Sequence, residues 1–431
     1  MTGPLPPVIV RPMCVTALLL CALAKQPLAQ GVRVEDLGGG LFQAIGVGVG
    51  GGSAVRVPQS NTFLLVTSDG SLVIDTSFTT AAPAHRKALA SVAKDPIRAI
   101  VLTHAHGDHT GGVGLWRQAG TQVIAHRLFP EFLEYTNRLA GYFLRANAAQ
   151  FGAGIAAGAR PGASSVSTAA PPDVLVDSSH AFDIGGTRVE ILHTPGETPD
   201  HLTVWMPGLK AAFIGDNYYE SFPNLYTLRG TRARWALDYV QSLDRVLALE
   251  PEIVLPSHGP VIRGRDEVRR RLTRYRDAIR YVHDATVKGM NEGKDVLTLM
   301  REVKLPPALE VGESYGRLSW SVRGIYEGYV GWFDGNASTM FGPPSQGYAE
   351  MVTLAGGPAR VAGRALALAD SDPVVALYLT DMALAVDATH AASLDARLKA
   401  LRALDARSDN SNERGWLAAA IRDAERKLKP R

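Results

Sequence analysis

The run Thr103-His104-Ala105-His106-Gly107-Asp108-His109-Thr110-Gly111-Gly112 decides how the rest of the chain is read. Four side chains able to bind metals fall within six residues. Burying them together without a partner would cost several kcal/mol, and a divalent cation removes that cost. His104 and His106 sit two apart, so from an extended loop both can reach one metal. Asp108 and His109 are adjacent and can turn toward a second. Nitrogen and oxygen donors without a thiolate suit Zn²⁺ first, with Mn²⁺ or Fe²⁺ as alternatives. The apolar residues from Arg98 to Thr103 read as a buried strand, which puts the candidate ligands at a strand's carboxyl end.

At 431 residues the natural expectation is two domains. Formal net charge is only +3, and two of the positive charges, Arg11 and Lys25, lie in the first 29 residues. That is no nucleic-acid footprint, and no nucleic-acid partner is expected. Residues 1–29 carry an apolar run of the length of a signal h-region, too short for a membrane span. A signal peptide, a secreted or periplasmic location and no stable membrane span after its removal are therefore expected. Both cysteines, Cys14 and Cys21, lie inside that segment, so disulfides and thiolate ligands are excluded from a mature chain.

From 32 to 264 short apolar runs alternate with helical stretches, as an α/β layer fold requires. Strands are expected at 61–66, 71–75, 97–103, 122–126, 188–193, 202–206, 211–215 and 253–256, and a helix at 81–93. Residues 129–173 form a long insertion whose second half, 152–172, is rich in Gly, Ala and Ser. Insertions of this length are commonly lids or binding loops. A charged helix is predicted over 265–287. Helical periodicity then dominates, with paired helices at 359–368, 373–386, 391–406 and 412–428. The expected organisation is a catalytic domain at 30–264, a linking helix at 265–294 and a separate all-helical domain at 295–431.

Three further strand ends offer polar groups on the same edge: Glu197 and His201 after Pro195-Gly196, Asp216 after Gly215, and His258 after Ser257. A lone histidine beside a strand is more often structural than ligating, and that reading is applied to His126, His180 and His193.

The HxHxDH pattern after an apolar strand resembles the metallo-β-lactamase superfamily. The resemblance implies an αββα sandwich with a one- or two-metal site at one edge, and it leaves the substrate open. Two other runs, Asn224-Leu225-Tyr226-Thr227-Leu228-Arg229-Gly230 and Gly331-Trp332-Phe333-Asp334-Gly335-Asn336, resemble the alkylsulfatase branch. So does the segment from Glu413 to Ile421, which is similar to the end of that branch's helical dimerisation domain. By this resemblance His104, His106 and Glu197 hold the first metal, and Asp108, His109 and His258 the second. Asp216 bridges them, Asp108 serves catalysis, and Asp75 supports a ligating histidine. His201 is the rival to Glu197. Two zinc ions about 3.5–4 Å apart would hold a water between them and lower its pKa toward roughly 7.

Asn224 and Arg229 would hold the sulfate of an anionic ester, because a guanidinium fork suits a tetrahedral oxyanion. Tyr142, in the insertion, is a further candidate contact. The bridging acid of the branch is usually glutamate, and its chains usually continue into a sterol-carrier-like domain. A shorter or different substrate is therefore expected. The resemblance implies an exported binuclear zinc hydrolase of sulfate esters, acting as a homodimer. The alternative on the same fold is a β-lactamase or lactonase.

Overall fold

The chain's architecture was obtained as a computed structural model. It describes residues 32–46, 60–152, 171–341 and 345–429. The expected signal segment and most of the Gly/Ala/Ser-rich half of the insertion lie outside the described residues.

Two sheets face each other. The first runs in chain order β1 (Arg33–Gly38), β2 (Leu41–Ile45), β3 (Thr62–Thr67), β4 (Gly70–Ile74), β5 (Ile97–Val101), β6 (Gln122–His126) and β7 (Val174–Val176). The second contains β8 (Ser179–Ile184), β9 (Thr187–His193), β10 (Leu202–Met206), β11 (Ala211–Gly215), β12 (Ile253–Pro256) and β13 (Ile262–Arg263), with β13 at one edge and β8 at the other. β4, β5, β6 and β7 pair in parallel, as do β11 and β12.

Strand alternation sorts the apolar side chains into layers. Phe63, Leu65, Leu72, Ile74, Val101 and Phe213 point between the sheets. Leu64, Val73 and Ile100 point the other way, onto helices carrying Leu89, Trp116 and Phe129. Ala212, Ile214 and Val254 likewise meet the helices Ala236–Ala248 and Arg265–Asn291 through Tyr239, Leu243, Leu272 and Ile279. Burial on both faces explains why these strands read as continuous apolar runs. The result is the four-layer αββα order.

The insertion begins as structure rather than loop. Phe129–Arg138 and Ala140–Phe151 are helices, the first started by Pro130 in its opening turn. Beyond the sandwich the helix Arg265–Asn291 leads into a wholly helical part. There the helices Pro358–Leu368, Pro373–Val386 and Ala391–Arg407 pack through Ala365, Ala369, Ala376, Ala396 and Ala400, small side chains that let their backbones approach. The helix Ser411–Leu428 packs on Ala391–Arg407 and also turns back against Ala140–Phe151 of the insertion. Among the described residues no helix is long and apolar enough to cross a membrane.

Candidate metal centre

The carboxyl ends of β4, β5, β11 and β12 converge on one edge, and each delivers a polar group. Asp75 follows β4 with φ +55°, in the left-handed region that an aspartate tolerates better than most residues. This bend turns its carboxylate inward. Oδ1 accepts from the Thr103 amide at 2.8 Å, and Oδ2 accepts from Thr103 Oγ1 at 2.8 Å and Ser257 Oγ at 3.0 Å. Oδ2 also lies 2.7 Å from His109 Nδ1. The acceptor fixes a proton on His109 Nδ1 and turns Nε2 toward the site. That Nε2 is buried and has no hydrogen-bond partner.

Asp216 lies at the middle of the cluster. Its carboxylate is shared by two groups of potential ligand atoms: Asp108, His109, Asp216 and His258 in one, His104, His106 and Asp216 in the other. In the first group His258 Nε2 lies 3.3 Å from Asp108 Oδ2 and 3.5 Å from Asp216 Oδ1. His109 Nε2 lies 3.4 Å from Asp108 Oδ2 and 3.4 Å from Asp216 Oδ2. Tetrahedral ligands at a zinc–ligand distance of about 2.0–2.1 Å are separated by about 3.3 Å, so these atoms already stand on the corners of such a site. In the second group His104 Nε2 and His106 Nδ1 are 2.9 Å apart, and His104 Nε2 is 3.8 Å from Asp216 Oδ2. Asp216 Oδ1 is another buried atom without a hydrogen-bond partner. Orphaned lone pairs at this spacing fit a divalent cation.

The charge balance points the same way. Burial alone would depress His109, yet Asp216, Asp108 and Asp75 outweigh it and hold its pKa well above the ordinary value. His258 is pushed up to about 10, because Asp216 and Asp108 overcome its burial. Burial and the neighbouring histidine His109 keep His104 well below its usual pKa, and burial with Arg229 and Arg234 does the same to His106. His104 and His106 are thus held in the neutral, ligating form, while His109 and His258 would each release a proton on binding a cation drawn by the surrounding carboxylates.

Glu197 and His201 part company. His201 Nε2 accepts from the Asp216 amide at 3.1 Å, while Nδ1 lies 3.4 Å from Thr194 Oγ1 and 3.3 Å from Asn217 Nδ2. Gly215, at φ +53°, permits this approach, since a β-carbon there would lie 2.3 Å from His201 Nε2. With Nε2 taken by a backbone amide, that nitrogen is not offered to the cluster, and neither His201 nor Glu197 belongs to the two groups of closely spaced ligand atoms. Glu197 Oε2 is held by Tyr239 Oη at 2.7 Å and by Arg234 Nη1 at 2.6 Å. Its Oε1 is left facing His106 Nδ1 at 3.8 Å. His201→Ala is accordingly expected to leave metal content intact. It should lower stability by about 1–3 kcal/mol, the cost of a buried amide left without its acceptor. Elemental analysis beside thermal unfolding checks this, and a halved metal content would make His201 a ligand.

The loop after β11 carries the other candidates. Asn224 is buried and Arg229 half-buried. Arg229 lies over the Phe151 ring at 5.9 Å, and Tyr142 Oη occupies the space a side chain at Gly230 would take. Phe132 meets His106 at 5.6 Å. The insertion's two helices thus wall one side of the site. Tyr219 and Tyr315 wall the other, Tyr219 stacking on His258. His126 and His193 stack on each other at 3.9 Å, away from the cluster and bonded to the backbone carbonyls of Asp177 and Pro199.

Arg234 and Tyr239 were not among the sequence candidates. Arg234 is 3% exposed at its side chain, pairs with Glu197 and donates to the Asn224 carbonyl at 2.9 Å. Its position between a Thr/Arg-rich turn and an amphipathic helix carries no signal of that double role.

Comparison with known proteins follows the same division of the chain. Residues 55–258 match the metallo-beta-lactamase superfamily and residues 296–426 match the alkyl sulfatase dimerisation family. A linear primary-alkylsulfatase of a Pseudomonas strain is 32% identical over 392 residues, 84% of this chain and 73% of that one. An alkyl/aryl-sulfatase of Saccharomyces cerevisiae is 28% identical over 337 residues, 71% of this chain and 52% of that one. The solved structure of the stereoselective inverting sec-alkylsulfatase Pisa1 from Pseudomonas sp. superposes with a TM-score of 0.80 at 23% identity, covering 93% of this chain and 66% of that one. This last likeness concerns the fold. The chain therefore spans between half and three quarters of these relatives' lengths.

Proposed function

Because this chain belongs to the alkylsulfatase family of the metallo-beta-lactamase superfamily, we propose that it hydrolyses sulfate esters at a centre of two zinc ions. The observation that carries this reading is Arg234. It ties Glu197, at the metal cluster, to the backbone of Asn224, in the loop that also carries Arg229. A metal-binding edge and an anion-binding loop are thereby joined through one buried guanidinium.

His104, His106, Glu197 and Asp216 would hold one ion, and Asp108, His109, His258 and Asp216 the other. Bound metal would supply Lewis acidity and a water activated for attack at neutral pH. The chain's own groups do the rest. Asp75 fixes the His109 tautomer, and Tyr239 and Arg234 hold one oxygen of Glu197 so that the other faces His106. Arg229 offers a planar donor fork to the sulfate oxygens, and Asn224 a neutral amide. Phe132, Phe151, Tyr219 and Tyr315 line the space with rings, which lowers its polarity. That strengthens every charge contact inside.

The test is a panel. Protein reconstituted with Zn²⁺ is incubated with alkyl sulfates, phosphodiesters, lactones and a β-lactam. Alkyl sulfates should turn over fastest. Turnover of a lactone or β-lactam with none of any sulfate ester would overturn the reading.

Two copies should associate through the helical part. Trp332, Phe333, Met340 and Phe341 are exposed, Trp332 by 69% and Phe341 by 85%. Exposed aromatics concentrated in so short a stretch are characteristic of interface anchors. Tyr326 is not part of it, since it packs inward, whereas Tyr329 is also exposed, with its hydroxyl 2.8 Å from His283 Nε2. Light scattering at micromolar concentration should give the mass of two chains. A single-chain mass, unchanged in Trp332→Ser/Phe341→Ser, would refute the dimer.

A further inference from the structure

The helix Ser411–Leu428 belongs to the part of the chain matched to dimerisation, yet its first turns reach the substrate loop. Gly415 allows this, because a β-carbon there would lie 1.8 Å from the Gln150 carbonyl oxygen. At that close approach three amide side chains and one indole line up. Trp416 Nε1 donates to Gln150 Oε1 at 3.1 Å. Gln150 Nε2 donates to Asn412 Oδ1 at 2.7 Å. Asn412 Nδ2 donates to the Tyr315 carbonyl at 2.9 Å and lies 3.4 Å from Asn224 Oδ1. Gln150, Asn412 and Asn224 are all at most 2% exposed.

The direction of this chain follows from its first member. An amide side chain can present either its oxygen or its nitrogen to a neighbour, and only the surrounding network settles which. An indole N–H can only donate. Trp416 therefore requires the oxygen of Gln150, which turns the Gln150 nitrogen onto Asn412. Asn412 must answer with its oxygen, and the carbonyl of Tyr315 independently requires its nitrogen. That nitrogen meets the oxygen of Asn224. The Asn224 nitrogen is the end of the line, and it has no hydrogen-bond partner among the described residues.

We propose that Trp416, Gln150 and Asn412 form a polarised relay that holds Asn224 with its amide N–H groups toward the anion site, so that the helical part of the chain completes the substrate pocket. The three are positioning residues: they act on substrate only through Asn224. Reversed, Asn224 would present a carbonyl oxygen to an anion. Buried amides polarise one another, so the aligned relay also strengthens the terminal donor. The proposal rests on Asn224 being a sulfate contact.

The experiment uses the full-length, metal-loaded protein. It measures inorganic sulfate affinity by calorimetry together with kcat and KM for an alkyl sulfate. Trp416→Phe removes the indole donor with some ring volume, adds no charge and lies three links from the site. Gln150→Met breaks the middle link at similar volume, and serves alone if Trp416→Phe does not fold. Asn412→Asp leaves an acceptor where Asn224 needs a donor and so favours the reversed amide. Removing a contact made to substrate and transition state alike should raise KM and the sulfate Kd together, about threefold for the two neutral variants and about tenfold or more for Asn412→Asp, with kcat within about threefold. Metal content should not change. A merely structural role would lower the thermal midpoint without weakening sulfate. Wild-type affinity in the neutral variants, with weakening confined to Asn412→Asp, would assign the effect to the new charge and overturn the relay. If the wild type itself neither binds sulfate nor cleaves any sulfate ester, the functional reading fails and not the relay alone.

Discussion

Asp216→Ala is expected to abolish hydrolysis, with a loss of at least about 10³-fold, and to strip metal from both halves of the centre. No other residue belongs to both ligand groups. Removing its carboxylate leaves His104 and His106 with Glu197 alone, and Asp108, His109 and His258 without their fourth donor. It also leaves the histidines buried with less negative charge to offset a cation. Wild-type protein reconstituted with zinc should hold two ions per chain by elemental analysis, and chelation should silence it until zinc is returned. Glu197→Ala should be milder, emptying the His104/His106 half and retaining the other. Two ions retained in Asp216→Ala would refute the shared carboxylate. Fewer than one ion in the reconstituted wild type would refute the centre as a whole.

The ligand-bearing edge was legible because metal coordination imposes local spacing. The structure brings His104, His106, Asp108 and His109 to one cluster from a single short loop, so their pattern survives in one dimension. The central strands were legible for a different reason: β3, β4, β5 and β11 are buried on both faces and read as unbroken apolar runs. Strands with an open face were not. β1 and β8 alternate exposed and half-buried positions with a single buried residue each, and β7 and β13 are three and two residues long. Nothing in such segments separates a strand from a polar loop. The helices of the insertion were passed over because its Gly- and Ala-rich second half colours the whole stretch as loop. Yet Phe129–Arg138 carries a proper start at Pro130 and a buried face at Phe129 and Phe132.

The supporting groups of the site were beyond sequence reading altogether. Tyr239 sits 42 positions from Glu197 and looks like one more core aromatic of an amphipathic helix. Asn412 sits 188 positions from Asn224, in a helix whose own period announces only that it packs. Their roles arise from which backbone atoms the fold brings within reach. The choice between Glu197 and His201 shows the same limit. Both follow Pro195-Gly196, and what separates them is the Asp216 amide that occupies His201 Nε2, a contact across two strands of the second sheet.

Arg229→Ala should lower kcat/KM for sulfate esters by about 2–4 kcal/mol, or roughly 30- to 1000-fold, while leaving both metal ions bound. The guanidinium lies near enough to His106 to depress its pKa, which places its charge beside the metal cluster rather than out on the surface. Its support is slender. A 3.4 Å contact to Thr227 Oγ1 and the face of Phe151 are its neighbours, and no carboxylate pairs with it among the described residues. Arg234 in the same loop is the opposite case, neutralised by Glu197 and committed to holding a ligand in place. Of the loop's three arginines, Arg232 pairs with Glu131 and Arg234 with Glu197, and Arg229 alone has no carboxylate partner among the described residues. An anion whose charge grows as the ester bond breaks gains most from such a group in a site lined by aromatic rings. Arg229→Lys should recover only part of the loss, since a point charge cannot reproduce a two-donor fork. The effect should vanish on an uncharged ester, whose turnover by Arg229→Ala should match that of the wild type. Equal loss on charged and uncharged substrates would mean that Arg229 holds the loop together and does not meet the sulfate.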